Sequence, residues 1–202
     1  RGEPFDVGGS GLAGGRGARA ERGVGEELAT RTFGGDGPVG GGGTPGGAAA
    51  ILEQVADFSR LAMSAVALGG SHHALELGVK FAIDRKQFGS EIAQKGAIQG
   101  FIADSALEVE TLRSQIYRGA SLAEQGKLDR EAAAIDKLWA NRVAYQVGNR
   151  MIQTHGGYGY ILDYAIGRVF RDCRTVEAIE GSNRSQQTAI AKSVLATYGF
   201  TA

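Results

Sequence analysis

"DREAAAIDKLWANRVAYQVGNRMIQTHGGYGY", residues 129–160, decides the fold. Ile135, Leu138, Trp139, Val143, Val147, Met151 and Ile152 recur at three- and four-residue steps, which places them on one face of a helix. Asp129 stands where a side-chain oxygen can cap the first turn. The glycines of "HGGYGY" (155–160) end the run, since glycine is the usual punctuation of a helix-to-helix turn. This spacing predicts a helix over about 130–155.

The same period extends in both directions. Upstream, Ile98, Ile102, Ala106, Val109, Leu112 and Ile116 predict a second helix over about 97–125, with Gly126 as its C-cap. Before it, "RKQFGSEIAQKG" (85–96) reads as a loop. A first helix over about 50–84 carries Ile51, Val55, Phe58, Ala62, Ala65, Val66, Leu75, Val79 and Ala82. Gly69-Gly70 within it is a weak point or a point of close packing. Downstream, a short helix spans about 163–174, a turn surrounds Glu180, and a last helix spans about 183–198 with Ser182 as its cap. No proline falls after residue 47 to break these helices. Strand-like alternation is absent. The fold class is all-α, an up-down bundle of three long helices plus shorter C-terminal helices. The helices are long enough to be covered in part by another domain or subunit.

Residues 1–47 differ in kind. The first fifty residues hold 18 of the 33 glycines and all three prolines. "GGDGPVGGGGTPGG" (34–47) has no apolar period and offers little surface to bury, so the segment is expected to lack packed structure. It reads either as a flexible linker or as a GC-rich stretch translated out of frame. The chain also begins at Arg1, as a fragment or processed product would. The expected division is 1–47, glycine-rich, and 48–202, helical domain.

The 22 basic and 22 acidic residues balance. Neutrality argues against a nucleic-acid or anionic-membrane footprint. No apolar run reaches the roughly 18 residues of a membrane span, and no hydrophobic signal peptide is seen, so a cytoplasmic location is expected. A single cysteine, Cys173, allows no internal disulfide and fits a reducing compartment. It reads as a small buried apolar residue.

Several residues bear on chemistry. His72, His73 and His155 lack metal-ligand spacing with carboxylates or cysteine. Arg168, Arg171 and Arg174 share one face of the short helix, where they are solvated, pair with carboxylates or hold an anion. Glu180, in "AIEGSNRSQQ" (178–187), follows that helix and precedes a helix N-terminus, where unpaired N–H groups favour an anion. Two turns suited to a ligand, "GGYGY" and "EGS", thus flank one short helix. By itself, a Glu-Gly-Ser before an amphipathic helix is an ordinary helix entry.

Four motifs together carry more. "DRKQFG" (84–89), "QTHGGYGY" (153–160), "DY" followed by "RVFRDCR" (168–174) and "IEGSNRSQQ" (179–187) resemble the acyl-CoA dehydrogenase family, in its order and at about its spacing. The resemblance spans residues 49–198 and implies the family's C-terminal helical domain. It implies FAD as cofactor, an acyl-CoA substrate, an electron-transfer acceptor that is itself a flavoprotein, and a homo- or hetero-tetramer. A complete member also has an N-terminal helical domain and a middle β-domain.

On that resemblance, Glu180 falls on the catalytic base. Some members carry the base on the first long helix instead, at the position of Ser59, which lacks a carboxylate. Asp57, Arg60 and Gly181 match substrate contacts. Arg85, Gln87 and Phe88 match a loop that meets the FAD of a neighbouring subunit. Gln153, Gly156 and Gly157 match a second FAD contact, and Ser182, Asn183 and Arg184 match residues lying along FAD. Three positions depart from the pattern. Gly96 replaces a glutamine that assists FAD binding, Ile179 replaces a common tyrosine, and Ser182 replaces a threonine but keeps the hydroxyl. The implied activity is α,β-desaturation of an acyl-CoA thioester. The alternatives are a non-catalytic subunit that contributes FAD contacts and oligomer interfaces, or an inactive fragment.

Overall fold

A computed structural model describes residues 48–200. The glycine-rich segment 1–47, expected to lack packed structure, lies outside the described residues. Five α-helices account for most of the described chain: α1 (Ala48–Asp84), α2 (Gly96–Glu124), α3 (Arg130–His155), α4 (Ile166–Thr175) and α5 (Asn183–Thr197). The class is all-α, as the sequence predicts.

Helix α3 is the hub, packed against each of the other four. Its N-terminus forms as expected, because Asp129 accepts a hydrogen bond from the Ala132 N–H at 2.8 Å. At the end of α2, Gly126 adopts φ +66°. There the Gly126 N–H donates to the Ala123 carbonyl and the Lys127 N–H to the Leu122 carbonyl, closing a Schellman motif. Because α3 is enclosed, its buried residues run around most of its circumference, from Ala133 and Ala134 through Val143 and Val147 to Met151. Ile135 and Trp139, on the predicted stripe, are only half-buried.

The buried face of α1 differs from the predicted one. Ile51, Val55, Ala62 and Val66 are exposed, whereas Leu61, Ser64, Leu68, Ser71, Ala74, Gly78 and Ala82 are buried. Apart from Leu61 and Leu68, that face is built of small residues, and two of them are serines. Their hydroxyls donate to the carbonyls one turn earlier, Ser64 to Arg60 and Ser71 to Ala67, each at 2.7 Å. A serine bonded this way is satisfied within its own helix and packs as a small residue. Gly70 serves close packing rather than weakness. The helix runs through it unbroken, and a Cβ there would lie 2.7 Å from the Cys173 sulfur.

The segment read as a loop contains a minimal hairpin, β1 (Lys86–Gln87) against antiparallel β2 (Ser90–Glu91), followed by a 3-10 turn over Ile92–Gln94. Two-residue strands are too short to show alternation. The connecting residues Phe88 (φ +53°) and Gly89 (φ +81°) both have left-handed backbone, as a type I′ turn requires. Among the described residues, no helix is long and apolar enough to cross a membrane.

Candidate active site

The sequence-matched residues gather into two clusters. The first is a cleft of about 660 Å³ where the C-terminal end of α1 and the hairpin meet the end of α3. It brings together Arg85, Gln87, Phe88, Gln153, Gly156 and Gly157, which come from segments more than sixty residues apart. Helix α3 delivers Gln153 to the rim and His155 to the floor, and Gly156 (φ +58°, ψ −134°) turns the chain sharply into a 3-10 turn over Gly156–Gly159. A Cβ built on Gly156 or Gly157 would meet nothing within 4 Å, so the backbone here faces open cleft.

An aromatic set closes the floor of this cleft. Phe81 stacks on His155 with ring centres 4.3 Å apart, and Tyr158 and Tyr164 pack around them. The His155 Nδ1 lies 2.7 Å from the Met151 carbonyl oxygen. A carbonyl only accepts, so Nδ1 carries the proton. Burial lowers the imidazole pKa against that hydrogen bond, which keeps the ring neutral. The Arg85 guanidinium sits 5.1 Å from the centre of the Tyr158 ring, at the edge of the cleft.

Phe88 is the exception within the set. It is 96% exposed and has the left-handed backbone that glycine or asparagine normally fills. A bulky ring gains nothing from this position within the chain, and such strained residues concentrate at ligand clamps.

The second cluster surrounds the turn between α4 and α5. Glu180 (φ +55°) and Gly181 (φ +91°) are consecutive left-handed residues. Phe88 and Glu180 are the only non-glycine residues with positive φ among those described. Each lies in one of the two clusters. The Glu180 side chain is exposed, while its turn is held from beneath. The Gln186 amide donates to the Glu180 carbonyl at 3.3 Å and the Gly181 carbonyl at 3.1 Å. Lys137 Nζ also donates to the Gly181 carbonyl. Ser182 caps α5 by accepting from the Ser185 N–H at 3.4 Å. Asn183 accepts from the Asn141 amide at 2.6 Å and donates to Glu177 at 3.0 Å. Arg184 is exposed.

Asp57 and Arg60 of α1 lie on the inner side of this cluster, paired at 2.5 Å. Burial raises the Asp57 pKa, opposed by Arg60 and Arg130. Burial lowers the Lys137 pKa; Arg60 pushes the same way, and the Glu180 and Glu177 carboxylates oppose it. The matched substrate contacts and the matched base therefore share one electrostatic neighbourhood, with Lys137 at its centre.

Other candidates are less engaged. Cys173 is buried, and burial pushes its thiol up to about 11, so it is an inert packing residue. Arg174 pairs with Glu177 at 2.5 Å and lies over the Tyr145 ring. Arg168 and Arg171 edge a small polar cleft beside Tyr164.

Residues 46–195, most of the chain, match the family described as "Acyl-CoA dehydrogenase, C-terminal domain". The chain belongs to the acyl-CoA dehydrogenase family. It is 41% identical over 139 residues to cyclohexane-1-carbonyl-CoA dehydrogenase of Geobacter metallireducens, covering 69% of this chain and 37% of that protein. It is 36% identical over 139 residues to the caffeyl-CoA reductase–Etf complex subunit CarC of Acetobacterium woodii, with the same coverage. Among solved structures, the glutaryl-coenzyme A dehydrogenase–glutaryl-CoA complex superposes with a TM-score of 0.74 at 30% identity, over 76% of this chain and 39% of that one. The chain thus spans little more than a third of the length of these acyl-CoA dehydrogenase relatives. The named relatives are acyl-CoA dehydrogenases and reductases, and the solved structure of PigA with FAD and proline superposes with a TM-score of 0.68 at 28% identity, over 72% of this chain and 38% of that one.

Lys137, Gln186, Arg130 and Asn141 were not singled out by the sequence reading. The available signal was the run "AAAIDKLWAN" (132–141). Charges inside a stretch with no solvent-facing gap must be buried with partners.

Proposed function

We propose that this chain supplies the C-terminal helical domain of an FAD-dependent enzyme that desaturates an acyl-CoA thioester between its α and β carbons, with Glu180 as the base. The observation that carries this reading is the Glu180 turn. Its main-chain carbonyls are tied to buried donors, its backbone is strained, and its carboxylate is left exposed. A carboxylate displayed this way gains nothing for the fold, and strain of this kind persists at sites of function.

In the forward direction the Glu180 carboxylate takes the α proton. Among the described residues nothing accepts from the Glu180 N–H, which leaves it to donate to the thioester oxygen as charge develops there. When bound, FAD accepts the β hydrogen together with its electron pair. Asp57 and Arg60 hold the acyl-CoA beside the base. Ser182, Asn183 and Arg184 follow the cofactor along the start of α5. The cleft of Arg85, Gln87, Phe88, Gln153, Gly156 and Gly157 fits a dinucleotide, because two side-chain-free residues and an exposed ring border open space. On this reading the cofactor in that cleft belongs to a neighbouring chain of a tetramer. A flavoprotein takes the electrons, as the Etf complex of the caffeyl-CoA relative favours, and the enzyme works in the cytoplasm.

The reductase names among the relatives favour a second reading in which the same site runs in reverse. A protonated Glu180 then delivers the α proton to an unsaturated thioester, whose β carbon would take a hydride from the reduced FAD.

The test is Glu180→Gln in the full-length, FAD-loaded protein. Flavin bleaching on mixing with acyl-CoA should slow by about 10²–10⁴-fold with FAD still bound, because the amide keeps the shape but cannot take a proton. Ser59→Ala should leave the rate intact. Bleaching of Glu180→Gln at the wild-type rate would show that the turn is only a helix entry.

A further inference from the structure

Lys137 is 0% exposed, the largest fully buried side chain among the described residues. An ammonium out of water is retained only where it is paired and hydrogen-bonded. Its hydrogen bond goes to the main-chain carbonyl of Gly181, the residue after the proposed base, forty-four positions along the chain. Helix α3, the hub of the bundle, thus reaches the Glu180 turn through one side chain.

The second tie on that turn is equally specific. Gln186 is also 0% exposed. Its oxygen accepts from Arg130 Nη1 at 2.8 Å, which fixes which way round the amide lies. The NH₂ group is thereby aimed at the Glu180 and Gly181 carbonyls. Arg130 stands at the first position of α3, and Lys137 is two turns further on. Two donors rooted in one helix, one direct and one relayed, converge on two successive carbonyls.

The turn needs such restraint. Left-handed backbone disfavours a glutamate, and without the buried donors the Glu180–Gly181 peptide would relax toward ordinary dihedrals. The relaxed turn would carry both the Glu180 carboxylate and its N–H away from their present directions. Misplacing a reacting group by about 1 Å suffices to reduce a rate by about 10²-fold.

We propose that Lys137 and Gln186, the latter oriented by Arg130, are positioning residues that hold the Glu180–Gly181 turn in its left-handed conformation and so aim the base. The proposal rests on Glu180 being the base, and its experiment separates the two claims. Lys137→Met removes the donor while filling the same space with an apolar chain, and the Gly181 carbonyl keeps Gln186 as a second donor, so no buried acceptor is left unpaired.

In the 202-residue chain, hydrogen exchange at the hydrogen-bonded amides that bracket the turn, Ile179, Ser185 and Gln186, should accelerate about 10- to 100-fold in Lys137→Met, the effect of losing one charge-assisted hydrogen bond. Exchange within α2 and the thermal midpoint should stay at their wild-type values. In the full-length, FAD-loaded protein, flavin bleaching at saturating acyl-CoA should slow by a similar factor, with FAD content and the acyl-CoA dissociation constant unchanged. Arg130→Met, at a partly exposed position, should loosen the same turn amides through Gln186 and keeps the test open should Lys137→Met fail to fold. Wild-type exchange at the turn in either folded variant overturns the proposal. So does a general loss of protection with a lowered midpoint, which marks a merely structural lysine. Wild-type bleaching in Glu180→Gln, with turn-selective exchange in Lys137→Met, would instead leave the restraint standing and remove the base.

Discussion

Asp136 gives the stability of this domain an unusual dependence on pH. The residue is 0% exposed, beside Lys137 on α3. One carboxylate oxygen accepts from the Gln115 amide at 2.7 Å, and the other is buried without a partner. Burial pushes the carboxyl up from 3.8 to about 6, against the pull of the Gln115 hydrogen bond and Arg118. The native state therefore holds this proton more tightly than the unfolded chain. Stability from this group is full below about pH 4, declines as pH rises through the interval up to about 6, and is absent above it. At 1.36 kcal/mol per pKa unit the loss is about 3 kcal/mol. Asp136→Asn has the same shape and does not titrate. Its amide nitrogen lacks a partner at every pH, so that penalty cancels when one pH is compared with another. Urea unfolding of wild type and variant, followed by circular dichroism at pH 4.0 and 7.5, measures the difference. Wild type should lose about 2.4 kcal/mol more than Asp136→Asn between the two conditions, because the unfolded carboxyl is already partly ionised at pH 4.0. Other carboxylates titrate in both proteins and drop out. Parallel losses would show that Asp136 is hydrated in solution and that its burial is not what the packing around Gly119 and Gln115 implies.

Three further outcomes are expected. The 202-residue chain alone should bind FAD weakly or not at all by equilibrium dialysis, and one flavin retained per chain would refute this; in the full-length protein, Gly96→Gln should tighten FAD about 2- to 10-fold, because a Cβ at Gly96 meets nothing within 4 Å and the side chain adds one hydrogen bond. Gly126→Ala should lower stability by about 1–2 kcal/mol in the same urea assay, since the position has φ +66° and no steric neighbour, so the effect is purely that of left-handed backbone.

What could be read from the sequence was local chemistry. Asp129, Gly126 and Ser182 mark helix ends by short-range rules, and the structure places caps at all three. Asp129 sets the start of α3, Gly126 the end of α2 and Ser182 the start of α5. The face of α1 was harder, because its contact surface is lined by Ser64, Ser71, Ala74 and Gly78, residues that periodicity arguments count as neutral or polar. Several of its apolar side chains, Val55 and Val66 among them, are exposed, and Leu61 and Leu68 are the large ones it buries. The two clusters were legible only as motifs. Nothing in the spacing of Arg85 and Gln153 says that they border one cleft, because that depends on how α1 and α3 cross. Lys137 was legible only in part: the run "AAAIDKLWAN" signals that its charge is buried, but not that its partner is the distant Gly181 carbonyl.

The separation of the two clusters bears on how a complete protein is assembled. Arg60 belongs to the Glu180 cluster and Arg85 to the cleft, and α1 runs unbroken from one almost to the other. Twenty-five residues at 1.5 Å each place the two arginines about 37 Å apart along the helix. On the proposed reading, a cofactor held at the Glu180 turn is not the one that fills the cleft, because so long a stretch of helix separates the residues that border them. If both clusters contact FAD, as the matched positions propose, they contact different copies. One chain then supplies the reactive end of one site and a cradle for another, and each cofactor is completed by two chains. The exposed ring of Phe88, held out on a strained hairpin turn, has the geometry of a contact made across such a boundary. On that arrangement, subunit association and cofactor retention are one equilibrium, because each cofactor that binds adds contacts between two chains.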